Sequence, residues 1–223
     1  MSRRDPTVLR ADLEAVADPS RAPAMKAYLK GHFDFLGVTS TDRKAVQKPW
    51  IAAGKGLSGD DLAADALALW EDPARELQYI AIDDLRRWAK KLGPDQLPAV
   101  EHLIRTKSWW DSVDALAAHV VGAMVRKHPE LTPVMDAWID DDDMWIARTA
   151  ILHQLTWREA ADEDRLFGYC VRRMDHKDSF IRKAIGWALR QHGRVRPDAV
   201  RAFVEAHADG LSGLSRREAL KHL

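Results

Sequence analysis

Apolar residues recur along this chain at close to 3.6-residue intervals, and no alternating run of β-branched residues interrupts them. That periodicity confines the chain to helices. Breakers punctuate it at Asp18-Pro19, Gly37, Gly54, Gly93-Pro94, Pro129, Gly193, Pro197 and Gly210. The predicted helices include roughly 109–127, 143–156, 162–174, 179–192, 197–208 and 214–222. The connections are short, so neighbouring helices are expected to pack antiparallel. Asp143-Met-Trp-Ile returns 35 residues later as Asp178-Ser-Phe-Ile, each tetrapeptide opening an amphipathic helix. A period of that size with two helices per unit is the mark of stacked helical repeats. The expected fold is all-α, an α-α superhelix (solenoid) of HEAT-like repeats. No linker splits the chain, so residues 1–223 read as a single domain.

Several function classes are excluded at this level. No stretch of 18 apolar residues offers a membrane span. Met-Ser-Arg-Arg-Asp-Pro leads into a charged amphipathic run with no apolar signal core behind it. Cys170 is the lone cysteine, so no internal disulfide can form, and a reducing cytoplasm is expected. The nine histidines show no metal-ligand spacing, so neither a metal nor another cofactor is expected. Net charge is zero, yet unevenly spread. Val171 to Pro197 holds eight Lys/Arg against two Asp, whereas Asp136 to Asp143 holds five acids and no base. A neutral chain so divided can carry a basic face for nucleic acid, or simply solvated helix surfaces.

Three helices carry residues that packing alone does not explain. In Ser108-Trp-Trp-Asp-Ser-Val-Asp114, Ser108 is the expected N-cap, and Trp110 and Asp114 stack one turn apart at the margin of the apolar stripe. They read as a reaction centre, or as a capping acid beside a packing tryptophan. Arg148 lies in the middle of the face made by Trp145, Ile151, Leu152 and Leu155. It must pair with an acid, for instance Asp114, or reach through to an anion. Trp187 shares a side with Lys183, Gly186 and Arg190, off the core stripe of Ile181, Ile185 and Leu189. It reads as a stacking platform among cations, or as a ring covered by a neighbouring helix.

At these residues the sequence resembles the DNA alkylation repair family, the HEAT-like-repeat glycosylases of the AlkD type. The matching motifs are His32-Phe-Asp-Phe-Leu-Gly-Val38 with Thr41 and Arg43, Ser108 to Asp114, Trp145-Ile-Ala-Arg148, Ile185-Gly-Trp187-Ala-Leu-Arg190, and Leu214 to Leu220. The resemblance implies that Asp114 is the catalytic aspartate, that Trp110 and Trp187 face the sugar, and that Arg148 is the active-site arginine. Tyr28, Lys183 and Arg190 are the candidate DNA contacts, with Arg148 also expected on a phosphate. The implied reaction is excision of cationic N3- or N7-alkylated purines from double-stranded DNA. The acidic run Asp140 to Asp143 would weaken DNA affinity if it faced the groove. The other readings are a non-catalytic module binding damaged or branched DNA, and a protein-interaction scaffold. The chain is expected to act as a monomer, off the membrane, in the cytoplasm.

Overall fold

Short polar side chains start seven of the described helices. Asp5, Thr39, Ser58, Asp143, Asp162, Asp178 and Ser212 each accept a backbone N–H of the first turn that they cap. The computed structural model describes residues 4–223, so Met1 to Arg3, part of the N-terminal segment read above, lie outside the described residues. Among the described residues the chain is helical and holds no strand, only an isolated bridge between Asp34 and Ala74. No described helix is long and apolar enough to cross a membrane.

The residues fall into two compact units, one through Leu103 and one from Ile104. The first contains α1 (Pro6–Ala15), α2 (Ala22–Tyr28), α3 (Ser40–Ala53), α4 (Gly59–Glu71) and α5 (Arg75–Arg87), and the boundary falls within α6 (Leu97–Arg105). Its interior is tied by Arg4, which bridges the buried carboxylates of Asp65 and Asp84 and lies over the Trp50 ring. The carboxylate of Glu76 is fully buried and accepts the backbone N–H groups of Leu36, Gly37 and Val38 at 3.0–3.2 Å. Glu76 on α5 thus holds the end of the matching loop motif, from Leu36 to Val38.

The second unit holds α7 (Trp110–Leu116), α8 (Gly122–Lys127), α9 (Thr132–Trp138), α10 (Met144–Leu152), α11 (Glu163–Arg173), α12 (Ser179–Gly193), α13 (Pro197–Ala206) and α14 (Gly213–Ala219). The helix predicted over 109–127 is broken by a π turn at Ala117–Val121. The Thr156 hydroxyl donates to the Ala118 carbonyl within that turn, at 3.2 Å. Helix α10 packs between α7 and α12, and α14 packs on α12, while α9, α11 and α13 back them. This alternation is the two-helix HEAT-like repeat.

The repeat runs further than Asp143 and Asp178. The residues that open α3, α5, α7, α10, α12 and α14 are Thr39, Ala74, Trp109, Asp143, Asp178 and Ser212. Their spacings are 35, 35, 34, 35 and 34 residues. Position in the repeat can therefore be counted from each opening residue.

Gly186 fixes the last contact. A Cβ there would lie 2.4 Å from the Glu218 Cβ and 2.9 Å from the Ser215 carbonyl oxygen. Gly186→Ala is expected to lower stability by about 1–3 kcal/mol through overpacking of α12 against α14. Urea unfolding measures it, and an unchanged midpoint would contradict so close an approach.

Candidate active site

Three of the candidate site residues of the second unit share one register of the repeat. Asp114, Arg148 and Lys183 each stand five residues after their helix-opening residue, at Trp109, Asp143 and Asp178. The helices α7, α10 and α12 pack in that order, and Asp114 on α7 meets Arg148 on α10. Arg148 Nε donates to Asp114 Oδ1 and Nη2 to Oδ2, both at 2.7 Å. Its Nη1 donates to the Phe180 carbonyl. The Arg148 side chain is 1% exposed and that of Asp114 23%. The phosphate contact expected of Arg148 is therefore corrected. A guanidinium enclosed in this way and bound at all three nitrogens does not reach a solvent anion, and of the two readings of Arg148 the buried pair with Asp114 is the one found.

Trp187 completes the cluster. Its ring centroid lies 5.1 Å from the Arg148 guanidinium carbon, and its Nε1–H donates to Glu218 Oε2 at 3.0 Å. The same Glu218 oxygen accepts from Arg190 Nη1 at 2.6 Å. These contacts fix the Trp187 ring and cover part of it, so it is neither the fully open platform nor the fully covered ring of the two sequence expectations. The ring is half-buried, one neighbour is a cation, and α14 covers the Gly186 side. Arg190 is likewise neutralised by Glu218, although it keeps partial exposure. Lys183 is exposed. Trp110 is half-buried one turn before Asp114 on α7. Tyr28 ends α2 in the first unit and is 69% exposed.

Beneath the cluster lies an aromatic trio that the sequence reading passed over. Trp109, Trp145 and Phe180 have ring centroids 5.0–5.8 Å apart, tilted or edge-to-face. Trp145 and Phe180 both stand two residues after their capping aspartates, Asp143 and Asp178. That shared position, visible in the repeated tetrapeptide, was the available signal. Ser108 is not the N-cap as expected. Trp109 opens α7, and the Ser108 hydroxyl donates to the Ile104 carbonyl at 2.6 Å, closing α6 instead.

Burial pushes the Asp114 carboxyl above the ordinary aspartate range, and the nearby Asp111 charge adds to this. The paired Arg148 pulls in the opposite direction. The arrangement is one carboxylate with a fixed orientation, partly open to solvent, beside aromatic rings. Three of the four acids from Asp140 to Asp143 have structural partners. Asp140 pairs with Arg172, Asp141 with Arg105 at 2.6 Å, and Asp143 caps α10. Cys170 is buried, with its thiol pushed upward by burial, so it is no nucleophile. Among the described residues no His, Cys, Asp and Glu cluster of three or more could hold a metal ion.

Glu218→Ala should cost about 1.5–3 kcal/mol of stability, the range for hydrogen bonds to charged groups. Glu218→Gln, which keeps an acceptor for the indole, should cost less. Denaturant unfolding of the two variants decides it, and equal midpoints for wild type and Glu218→Ala would show that the contacts carry nothing.

Comparison with known proteins follows the same line. The family profile described as DNA alkylation repair enzyme matches residues 9–223. A solved structure described as a predicted DNA alkylation repair enzyme from Enterococcus faecalis is 29% identical, with a TM-score of 0.86 over 93% of this chain and 96% of that one. The structure of smu.31 from Streptococcus mutans UA159 is 14% identical, with a TM-score of 0.63 over 92% of this chain and 98% of that one. AlkD2 from Streptococcus mutans is 14% identical, with a TM-score of 0.61 over 79% of this chain and 88% of that one. No curated protein matches. At 14% identity the latter two speak for the fold alone.

Proposed function

The chain belongs to the DNA alkylation repair enzyme family, and from that premise we propose that it is a monofunctional DNA glycosylase. In this reading it hydrolyses the N-glycosidic bond of N3- or N7-alkylated purines, such as 7-methylguanine and 3-methyladenine, in duplex DNA, and leaves an abasic site. The observation that supports it is the half-buried carboxylate of Asp114, oriented through both oxygens by a buried arginine.

An alkylated purine of this kind carries a formal positive charge and leaves without prior protonation. The site then needs no general acid, and in this reading Asp114 acts alone while Glu218 is engaged by Trp187 and Arg190. As the bond breaks, positive charge passes to the sugar. A fixed carboxylate stabilises that charge more than it stabilises the neutral ground state, and it can orient the attacking water. Arg148 acts here as the positioning residue. Its bidentate pair fixes the carboxylate plane and opposes the upward push of burial on this acid. The π faces of Trp110 and Trp187 add attraction for the cationic sugar. Lys183 is the exposed cation of this register, placed for a phosphate, and Tyr28 and Arg190 are further DNA contacts in the proposal. The protein acts as a monomer in the cytoplasm, on the nucleoid when bound to DNA.

One observation favours a second reading, a non-catalytic module for damaged or branched DNA. Both Asp114 oxygens accept from Arg148, as in a purely structural ion pair. Incubation with duplex containing 7-methylguanine, followed by analysis of the freed base, separates the two. Release of 7-methylguanine with an intact backbone supports the glycosylase. Binding without release supports the module.

A further inference from the structure

Helix α14 is fastened along α12 at several points. The Ser215 hydroxyl, on a fully buried residue, donates to the Arg182 carbonyl at 2.9 Å. At Gly186 a Cβ would lie 2.4 Å from the Glu218 Cβ, and at Gly193 a Cβ would lie 2.8 Å from both Leu223 methyl carbons. Two glycines seven residues apart put both close approaches on one side of α12. The base of the Glu218 side chain is thereby set against Gly186, the residue before Trp187.

From that base the carboxylate engages two partners through one oxygen. Oε2 accepts the Trp187 Nε1–H at 3.0 Å and Arg190 Nη1 at 2.6 Å. Trp187 and Arg190 are three residues apart, so they lie side by side on α12. An ion pair with Arg190 alone requires neither the indole contact nor the close approach at Gly186.

The ring has reason to be held. Tryptophan on a helix has more than one rotamer open to it, and the large indole changes position between them. Here its N–H edge is fixed by Glu218, and its centroid lies 5.1 Å from the Arg148 guanidinium carbon. Arg148 is itself bound to Asp114 by two 2.7 Å hydrogen bonds. Contacts therefore run without a break from Glu218 on α14, through Trp187 on α12 and Arg148 on α10, to Asp114 on α7.

We propose that Glu218 is a second positioning residue, which holds the Trp187 indole in the orientation used by the reaction at Asp114 and does not itself touch the substrate. The proposal rests on the glycosylase reading and on the place given there to Trp187. Single-turnover release of 7-methylguanine at saturating protein is measured for the full chain and for its Glu218→Ala and Glu218→Gln variants, with duplex affinity measured by fluorescence anisotropy. Loss of the indole anchor should slow release by about tenfold in Glu218→Ala, the scale of one misplaced cation–π contact. Affinity should not fall, because Arg190 is released from its carboxylate and stays available to phosphate. Glu218→Gln keeps an acceptor for the indole and should recover most of the lost rate. In a Trp187→Phe background, which has no N–H to hold, Glu218→Ala should bring no further loss of rate. If Glu218→Ala does not stay folded at the assay temperature, Glu218→Asp, which keeps the charge but stops short of the indole, takes its place with the same expectations. A folded variant that frees base at the wild-type rate would overturn the proposal. So would a rate loss that persists in the Trp187→Phe background, that Gln does not recover, or that only parallels a loss of affinity. A wild type that frees no base would sink the glycosylase reading and this proposal together, whereas an active wild type matched by Glu218→Ala removes this proposal alone.

Discussion

Arg148→Met should destabilise the protein by about 3–5 kcal/mol, the cost of breaking a buried ion pair from one side. The Arg148 side chain is 1% exposed and carries two hydrogen bonds to Asp114 and one to the Phe180 carbonyl. Methionine fills much of the volume but leaves the Asp114 carboxylate and a backbone oxygen without their donor. Arg148→Lys keeps the charge, yet cannot form the two-pronged contact, so it should recover only part of the loss. Guanidinium unfolding of the three proteins provides the comparison. A loss below about 1 kcal/mol for Arg148→Met would place the pair with ordinary surface ion pairs, and Asp114 would then owe its orientation to something else.

The arrangement of α7, α10 and α12 explains what was readable beforehand and what was not. Asp143 and Asp178 are legible as helix starts because their side chains cap, and each is followed two residues later by an aromatic ring. The same step from Thr39 to Ala74 to Trp109 leaves no trace in residue type. Neither Ala74 nor Trp109 caps with a side chain, so the period is visible only in the backbone. The π turn at Ala117–Val121 is hidden for a similar reason, since one altered hydrogen-bond step barely disturbs the apolar pattern of a helix.

Asp114, Arg148 and Trp187 stood out because each violates the pattern of its own helix. Glu218 did not, since an acid on a short terminal helix is unremarkable alone. Its meaning lies in Trp187, 31 residues earlier in the chain. Charge counting could not show that Asp140 and Asp141 are paired, because Arg172 and Arg105 come from sequence-distant helices.

Asp114→Asn should slow base release by ~10²–10³-fold, the usual loss when one charge-stabilising group is removed from a transition state. The side chain keeps its shape, but its charge disappears, and that charge counts most when the sugar becomes cationic. The contact with Arg148 now adds a structural consequence. The amide presents one acceptor where the carboxylate presented two, so one arginine donor loses its partner and stability should fall as well. DNA affinity should stay near wild type, because the exposed Lys183 does not depend on Asp114. Burial raises the Asp114 carboxyl above the ordinary aspartate range, so the acid limb of the wild-type rate profile should lie higher than for a solvated aspartate. Base release should be lost as pH falls through that raised value, and Asp114→Asn should lack this limb. The decisive measurement is single-turnover release of 7-methylguanine from duplex DNA by wild type and Asp114→Asn, with both shown folded at the assay temperature. The account predicts rapid release by the wild type and a rate ~10²–10³-fold lower in the variant, whereas equal rates, or no release by the wild type, would contradict it.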